Sequence, residues 1–396
     1  MNLKIVFSTL GVILMIIGIS MLFPLIWSLY YGEYDLPAFL ISAIVTFLVG
    51  LFLFKGLKTE GSIRYKEGFA IVSLAWVFAT IFGSLPYLLS KTFNSISDAI
   101  FETMSGFTTT GASVLTDIEI LPHGILFWRS LTHWLGGMGI VVLFVAILSS
   151  IGIGGLQMFR AESPGPVTEK IKPRISETAK ILWFTYVIFT FAEIFLLWIF
   201  GMPLFDAMCH TFGTLATGGF STKNQSIGYY NSPIIHWIII LFMFMSGANF
   251  ALYYSVLHNR NLKIFWKNDE FRLYSYIILV SIAVITIVLI TNSYLPLDKA
   301  ITLAAFQVVS IVTTTGYATY DFDQWPLLAR SIIFTLMFVG GCAGSTGGSI
   351  KVGRILVLFK QATLELKKAI HPRMITQLKI REKTVPENIV INLNYS

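Results

Sequence analysis

The 396-residue chain has few cysteines and few charged residues, and both shortages exclude classes of protein. Its two cysteines, Cys209 and Cys342, offer neither a disulfide framework nor metal-ligand spacing, and its six histidines are scattered. Charged residues make up 12% of the chain, whereas soluble domains contain about 25%. The 55% of hydrophobic residues argues against a soluble domain, and the lack of a Cys or His cluster argues against a metalloenzyme.

Long apolar runs take the place of the missing charges. Residues 5–26, 38–54, 237–257 and 276–290 are apolar over most of their length, and a helix needs about 20 such residues to cross a bilayer. The first run is longer than the apolar core of a signal peptide, and no small-residue cleavage site follows it. We therefore predict a polytopic α-helical membrane protein.

The basic residues predict how the chain is oriented. Because basic residues flanking spans are retained in the cytoplasm, we expect a cytoplasmic N-terminus. The basic connections serve as topology signals and contacts to anionic lipid, or alternatively bind a soluble partner. They alternate with spans and form no separate domain, which argues against nucleic acid binding. Most of the 28 Lys and Arg residues lie near Lys4 and in segments 55–67, 160–180, 258–272 and 351–383.

Three similar Thr/Gly segments interrupt the apolar runs: loop 1 (residues 108–113), loop 2 (216–221) and loop 3 (313–318). Bare backbone at membrane depth must face protein or a watery path. Carbonyls arranged around an axis can replace the water shell of a monovalent cation. In loop 2, gapless counting favours Gly219 as the central glycine, and Gly218 stays as the alternative. The predicted cation-binding residues are Thr109, Thr110, Gly111, Thr217, Gly218, Gly219, Thr314, Thr315 and Gly316; no catalytic residue and no other metal site is predicted.

A helix-like segment opened by an aspartate precedes each loop, and an apolar span follows it. We predict that Asp98, Asp206 and Asp298 are helix N-caps, or alternatively that they serve an ion vestibule. The expected helices are 3–30 and 36–56, then 68–90, 97–108 and 125–151, then 181–201, 204–216 and 233–257, and finally 273–293, 297–312 and 329–358. The predicted domains are an N-terminal helix pair (1–60), three repeats (61–158, 159–262 and 263–370) and a cytoplasmic segment (371–396).

A glycine-rich run at residues 340–350 lies inside the last predicted span. Each glycine costs a helix about 1 kcal/mol, so five glycines within nine residues should break it. Small polar residues in an intramembrane loop suit a constriction below the Thr/Gly loops, and close helix packing is the alternative. The predicted gate residues are Gly340, Gly341, Gly344, Ser345, Thr346, Gly347 and Gly348.

These features together resemble the Trk/Ktr/HKT superfamily and most closely its TrkH-type potassium uptake subunits. The resemblance is carried by the three Thr/Gly loops, by residues 129–139 (RSLTHWLGGMG) and by residues 340–351 (GGCAGSTGGSIK). It implies an all-α membrane fold with helix, re-entrant loop and helix repeated around a pseudo-fourfold axis, preceded by an extra helix pair. It further implies a multi-pass protein of the bacterial inner membrane.

The resemblance also implies what the protein transports and what it binds. The transported ion is K⁺, with no cofactor on the chain itself. The implied partners are a second copy in a homodimer, a cytosolic nucleotide-binding regulator of the TrkA kind and membrane lipids. Loop 3 has Tyr317 where loops 1 and 2 have Ala112 and Phe220, so we expect an uneven ring that favours potassium and excludes sodium less strictly.

Two other functions stay open at the sequence level. An intramembrane enzyme would need paired His, Asp or Ser/Lys groups at repeat positions, and the sequence has none there. A fourth Thr/Gly loop would fall near position 415. We therefore expect a truncated or split gene product, and the alternative function is a non-conducting fragment or scaffold that needs a separate fourth repeat.

Overall fold

The computed structural model describes residues 1–57, 65–139 and 175–370, together with the pairs 379–380 and 383–384. These residues are mostly helical, which confirms the all-α prediction; two-residue strands β1 (Lys379–Ile380) and β2 (Lys383–Thr384) pair antiparallel. The helices are α1 (Leu3–Ser20), α2 (Leu22–Tyr31), α3 (Leu36–Gly56), α4 (Tyr65–Gly83), α5 (Leu85–Leu89), α6 (Ile96–Phe107), α7 (His123–Gly137), α8 (Ile175–Ile199), α9 (Leu204–Leu215), α10 (Pro233–Ser246), α11 (Phe250–Asn259), α12 (Lys263–Lys267), α13 (Asp269–Ser293), α14 (Leu297–Val312), α15 (Leu327–Leu336) and α16 (Val352–Ile370).

Five helical stretches in the described residues are long and apolar enough to cross a membrane. The three shorter helices α6, α9 and α14 are too short to span a bilayer, and we call them the half-helices. The five stretches are Leu3–Tyr31, Leu36–Gly56, Lys66–Leu89, Lys180–Ile199 and Asp269–Ser293.

The helix predicted at 233–257 is not continuous. The chain breaks between α10 and α11, and the two helices meet at 94°. Gly247 and Ala248 end the first helix, and the Asn249 side chain accepts a hydrogen bond from the Ala251 N–H (2.8 Å), which starts the second. An N-cap asparagine inside an apolar run therefore creates a new helix start where composition alone predicts continuity.

Some predictions fall outside the described residues. These are the extension of α7 from 140 to 151, most of the basic segment 160–180, part of the basic segment 55–67, and residues 371–396 apart from the four strand residues.

The chain divides into two compact units. The described part of the first comprises residues 1–57, 65–139, 175–242 and 315–319, so it holds loops 1 and 2 and most of loop 3. The second begins at residue 243 and includes α11 to α16 and the glycine-rich run. In the second unit α13 packs against α14, α15 and α16, and Asp269 at its start pairs with Lys360 (2.9 Å).

In the first unit the helix pair α1 and α3 packs through glycines. A Cβ added to Gly50 would lie 2.6 Å from the Gly11 carbonyl oxygen and 2.8 Å from the Met15 amide nitrogen. A Cβ added to Gly18 would lie 2.9 Å from the Phe47 amide nitrogen. Small residues at such contacts allow two helix backbones to approach closely, which is how apolar helices associate within lipid.

The acidic turn between α2 and α3 anchors this helix pair to the start of α7. Glu33 accepts hydrogen bonds from the His123 N–H (2.6 Å), and its other oxygen lies 2.7 Å from the His123 ring Nδ1. Asp35 accepts from the Ile125 N–H (3.2 Å), and burial raises the pKa of its carboxyl. Both carboxylates therefore satisfy free N–H groups at a helix N-terminus.

We predict that Gly50→Ala destabilises the protein, because the methyl group would overlap the α1 backbone, and overpacking of this kind costs about 1–3 kcal/mol. The measurement is the apparent melting temperature of the protein in detergent. Gly56→Ala is the matched control in the same helix, since its Cβ would meet only the Phe52 ring at 4.0 Å. Equal melting temperatures for the two variants would contradict this packing.

Candidate cation site

The three half-helices end in the same way. The N–H of the residue two before the central glycine bonds back to a carbonyl three residues earlier: Thr109 to Gly106 (3.1 Å), Thr217 to Thr214 (3.1 Å) and Thr314 to Ile311 (3.0 Å). These threonines all have positive φ, at 54°, 53° and 61°. A β-branched residue rarely adopts this conformation, so the shared strain sets these three loops apart from ordinary helix ends.

Each loop also has a second residue with positive φ, two positions after the threonine. It is Gly111 (74°) in loop 1, Gly219 (80°) in loop 2 and Gly316 (79°) in loop 3. The backbone therefore supports the gapless alignment, in which Gly219 is equivalent to Gly111. Gly218 aligns instead with Thr110 and Thr315.

The loops lie side by side in the first unit. A Cβ built on Gly111 would collide with the Gly218 carbonyl oxygen, and a Cβ built on Gly219 would collide with the Thr315 carbonyl oxygen. A Cβ on Gly316 would meet no described atom within 4 Å. Gly111 and Gly219 thus let loop 1 approach the Gly218 carbonyl and loop 2 approach the Thr315 carbonyl. Thr109, Thr110, Thr217 and Gly316 lie in the same unit as these residues, while Thr314 belongs to the second unit.

The predicted N-cap role of the three aspartates is wrong. The caps are Ser95, Pro203 and Pro296, and the aspartates follow within the first turn. In α9, Asp206 accepts a hydrogen bond from the Thr222 hydroxyl (2.6 Å) and lies 3.6 Å from the Lys223 ammonium. A carboxylate in the first turn still interacts favourably with the helix dipole. The negative charge therefore lies near the helix N-terminus, as an N-cap aspartate would, but Asp206 bonds to side chains and not to the first N–H groups of the helix.

Polar residues buried in the half-helices hold the segments that follow the glycines, and the sequence analysis missed them. Glu102 accepts from the Ser113 hydroxyl (2.9 Å) and the Val114 N–H (3.1 Å). The His210 ring Nε2 lies 3.0 Å from the Ser221 hydroxyl. Glu102 and His210 both lie nine residues before their glycine, and so does the buried Gln307 of α14. That equal spacing of a polar residue was the available signal.

Aromatic side chains connect loop 2 to its neighbours. The Tyr317 hydroxyl lies 2.9 Å from the His210 carbonyl oxygen and 3.2 Å from the Phe220 carbonyl oxygen, so it links loop 3 to loop 2. The fully buried His133 ring stacks on the Phe220 ring, with centroids 4.1 Å apart. A Cβ on Gly218 would collide with the His133 ring, so α7 supports the back of loop 2.

The glycine-rich run leaves the helical path, as predicted. α15 ends at Leu336, and the run closes on itself through a hydrogen bond from the Gly340 N–H to the Ile350 carbonyl (2.9 Å). Glu270 accepts from the N–H groups of Ala343 (2.7 Å) and Gly353 (2.9 Å). The same carboxylate oxygen therefore holds one residue within the run and one just after it.

The run docks on the break between α10 and α11. The Cys342 N–H donates to the Gly247 carbonyl (2.8 Å), and the Thr346 hydroxyl donates to the Ser246 carbonyl (3.3 Å). At the other end of the run, the Gly348 N–H donates to the Thr314 hydroxyl (2.7 Å). The predicted gate residues therefore contact a predicted cation-binding residue directly.

Half-helices that end in strained Thr/Gly loops, together with several helices long enough to span a bilayer, define a class, the multi-pass membrane proteins that carry ions. A family model described as a cation transport protein, TrkH, matches residues 36–395. The chain belongs to this TrkH family, and it is an integral membrane transporter, not an enzyme.

Individual relatives agree with this assignment. The chain is 43% identical to the Trk system potassium uptake protein TrkH of Salmonella typhimurium over 397 residues, which cover 98% of the chain and 82% of the relative. It is 42% identical to the protein of the same name from Escherichia coli K12, with the same coverage. The crystal structure of the potassium transporter TrkH from Vibrio parahaemolyticus superposes with a TM-score of 0.88 at 36% identity, and covers 100% of this chain and 82% of that one.

We predict that Tyr317→Phe destabilises the protein, because it removes the hydroxyl that links loops 2 and 3 and leaves buried carbonyls with one partner fewer. Loss of such a hydrogen bond costs about 0.5–1.5 kcal/mol, because the His210 carbonyl keeps the Thr214 hydroxyl as a partner. The apparent melting temperature should fall, whereas Tyr320→Phe should leave it unchanged, since that exposed hydroxyl contacts only the nearby Gln324 side chain. An unchanged melting temperature for Tyr317→Phe would show that the link is not needed.

Proposed function

We propose that this chain translocates potassium across the bacterial inner membrane, and that Thr/Gly loops 1 to 3 supply the oxygen atoms that bind the ion. The observation that carries the proposal is the repeated backbone geometry, in which positive φ recurs two residues apart in each of three adjacent loops. Family membership and the printed names of the relatives support potassium as the ion.

The loop geometry suits a dehydrated monovalent cation. A residue with positive φ between residues with negative φ turns its carbonyl to the side faced by its neighbours, so that several oxygens converge. Carbonyl dipoles replace the ion's water shell without a fixed negative charge, which allows the ion to leave as well as to enter. The binding residues proposed are Thr109, Thr110, Gly111, Thr217, Gly218, Gly219, Thr314, Thr315 and Gly316.

The ring is proposed to be uneven. Tyr317 follows the glycine of loop 3, where loop 1 has Ala112 and loop 2 has Phe220. The side chains behind the loops differ as well, with Glu102 behind loop 1 and His210 behind loop 2. Unequal support favours a single well-defined site, so potassium is preferred and sodium is excluded only in part.

No catalytic cycle on this chain is needed for uptake. A membrane potential of about 100 mV contributes about 2.3 kcal/mol for each positive charge that enters. The proposed orientation places the N-terminus and the basic connections in the cytoplasm, so that loops 1 to 3 open toward the outside.

Expression of the chain in a bacterial strain without its own potassium uptake systems tests the function. We expect rubidium uptake above the empty-vector level, and we expect Gly111→Ala to reduce it by about tenfold or more, because a Cβ there would displace the Gly218 carbonyl. Gly32→Ala is the matched control. Gly32 also has positive φ (67°), yet a Cβ there would meet nothing within 4 Å.

Two outcomes would contradict the proposal. Rubidium uptake at the empty-vector level, with the chain present in the membrane, would favour the non-conducting alternative. Full uptake and unchanged ion preference in Gly111→Ala would remove loop 1 from the binding site.

The glycine-rich run is proposed to gate the pathway on its cytoplasmic side, through Gly340, Gly341, Gly344, Ser345, Thr346, Gly347 and Gly348. Its contact with the Thr314 hydroxyl links a movement of the run to loop 3. Its docking on the carbonyls of Ser246 and Gly247 at the end of α10 uses single hydrogen bonds, so a movement of the run breaks few bonds.

Deletion of residues 344–348 should raise rubidium flux, because it removes the obstruction while the Gly340 to Ile350 hydrogen bond can still close the shortened loop. Flux should be measured in proteoliposomes of known protein content, so that a change in abundance is not mistaken for gating. Unchanged or lost flux in a protein with normal melting temperature would assign the run to helix packing instead.

The chain acts as a component of a Trk system, together with other Trk components. We propose that these include a cytosolic nucleotide-binding regulator of the TrkA kind, which acts on the glycine-rich run, and a second copy of the chain in a homodimer. The basic connections are proposed to contact anionic lipids as well.

A further inference from the structure

Arg129 is buried directly behind the Thr/Gly loops, although it is a charged residue inside α7. Its side chain is 1% exposed. The guanidinium Nε donates to Glu102 (2.8 Å), Nη1 donates to the Ser221 carbonyl (3.2 Å) and Nη2 donates to the Ser113 hydroxyl (3.3 Å). The central carbon of the guanidinium, Cζ, also lies 4.1 Å from the centre of the Phe220 ring.

These contacts reach the same level of two different loops. Ser113 lies two residues after Gly111, and Ser221 lies two residues after Gly219. A single guanidinium therefore joins equivalent positions of loops 1 and 2. Glu102 completes the connection on the loop 1 side, because one of its oxygens accepts from Arg129 and from the Ser113 hydroxyl while the other accepts from the Val114 N–H.

Stability alone explains this arrangement poorly. Glu102 and Arg129 are 0% and 1% exposed, and the cost of removing two charges from water can exceed the attraction between them. Apolar residues of similar volume often fill such a site with equal or greater stability. What an apolar pair cannot do is hold a carbonyl and a hydroxyl on separate loops at fixed distances.

We propose that the Glu102–Arg129 pair positions loops 1 and 2 relative to each other and so determines how strongly the protein prefers potassium to sodium. This rests on the proposed binding of the ion by those loops. The planar guanidinium presents donors in fixed directions, whereas a lysine ammonium at the same place is a single flexible point. Glu102 balances the positive charge, so the pair sets distance without repelling the cation.

The test compares Arg129→Lys with Arg330→Lys, an exposed arginine of α15. Rubidium and sodium uptake are measured in the same cells. Arg129→Lys keeps the positive charge but loses the planar guanidinium with its fixed donors. The ratio of rubidium uptake to sodium uptake should therefore fall by about tenfold, which is the order of one lost charge-assisted hydrogen bond. Arg330→Lys should keep the ratio. A purely structural role would lower abundance and melting temperature but leave the ratio of the surviving protein unchanged, and that result would overturn the proposal.

A second variant covers the case in which Arg129→Lys does not fold. Ser113→Ala removes the hydroxyl that lies between Arg129 and Glu102 and leaves both charges in place. It should lower the ratio in the same direction but by less. Ser95→Ala, at the start of α6, is its control, because the Ser95 hydroxyl is hydrogen-bonded to the exposed Ser97 hydroxyl and makes no side-chain cap bond. Equal ratios for the wild type and Ser113→Ala would overturn the proposal as well.

Melting temperatures in KCl and NaCl distinguish a failure of this inference from a failure of the proposed function. The purified wild type should have a higher melting temperature in KCl than in NaCl, since a ligand that binds the native state stabilises it. Absence of that difference in the wild type, together with absence of uptake, would reject potassium binding and the inference with it. A potassium-specific increase that is equal in the wild type, Arg129→Lys and Ser113→Ala would reject the inference alone.

Discussion

Backbone that leaves a helix inside a membrane needs hydrogen-bond partners from the protein, because lipid supplies none. After loop 1, Glu102 of the preceding half-helix accepts from the Val114 N–H. In loop 2, His210 of the preceding half-helix contacts the Ser221 hydroxyl, which in turn accepts from the Lys223 N–H. Each of these two half-helix side chains lies nine residues before the central glycine of its loop. The chain therefore leaves the helix at the loop and turns back toward that side chain. The loops can therefore remain open and strained at their centres because the following residues are held.

The same requirement shapes the glycine-rich run. The break between α10 and α11 frees the carbonyls of Ser246 and Gly247, and the run supplies the donors, from Thr346 and Cys342. In return, α13 supplies Glu270, which accepts from the N–H groups of Ala343 in the run and Gly353 just after it. The bend and the run satisfy each other's backbone, so neither is stable in this form without the other. A segment held mainly by such exchangeable bonds can change shape with little loss of packing.

The sequence predicted the features that follow from local chemistry. Apolar runs gave the all-α class because only helices and closed barrels satisfy their own backbone in lipid. Spacing from Asp206 predicted Gly219 as the equivalent of Gly111, and the positive φ values agree. The five glycines of the run predicted a broken helix.

The features that were missed depend on residues distant in the sequence. A glycine inside the apolar run 233–257 is compatible with a straight helix, and the 94° bend is stabilised by donors about 100 residues later in the chain. The predicted aspartate caps were displaced because proline or serine already occupied the cap position. Glu102 was not predicted as a site residue, since its partner Arg129 lies 27 residues further on.

Loops 1 to 3 have the same backbone conformation but are held by different side-chain contacts. That difference bears on the proposed ion preference. Loops 1 and 2 are joined by a charged fork with fixed directions, whereas loops 2 and 3 are joined by one phenol hydroxyl shared between two carbonyls. The first connection resists a change in distance more strongly than the second, because it has several charge-assisted bonds. An ion that is too small requires the oxygens to move inward, and this movement is cheapest at the weaker connection. The proposed partial exclusion of sodium would therefore follow from uneven support as much as from uneven loop sequence.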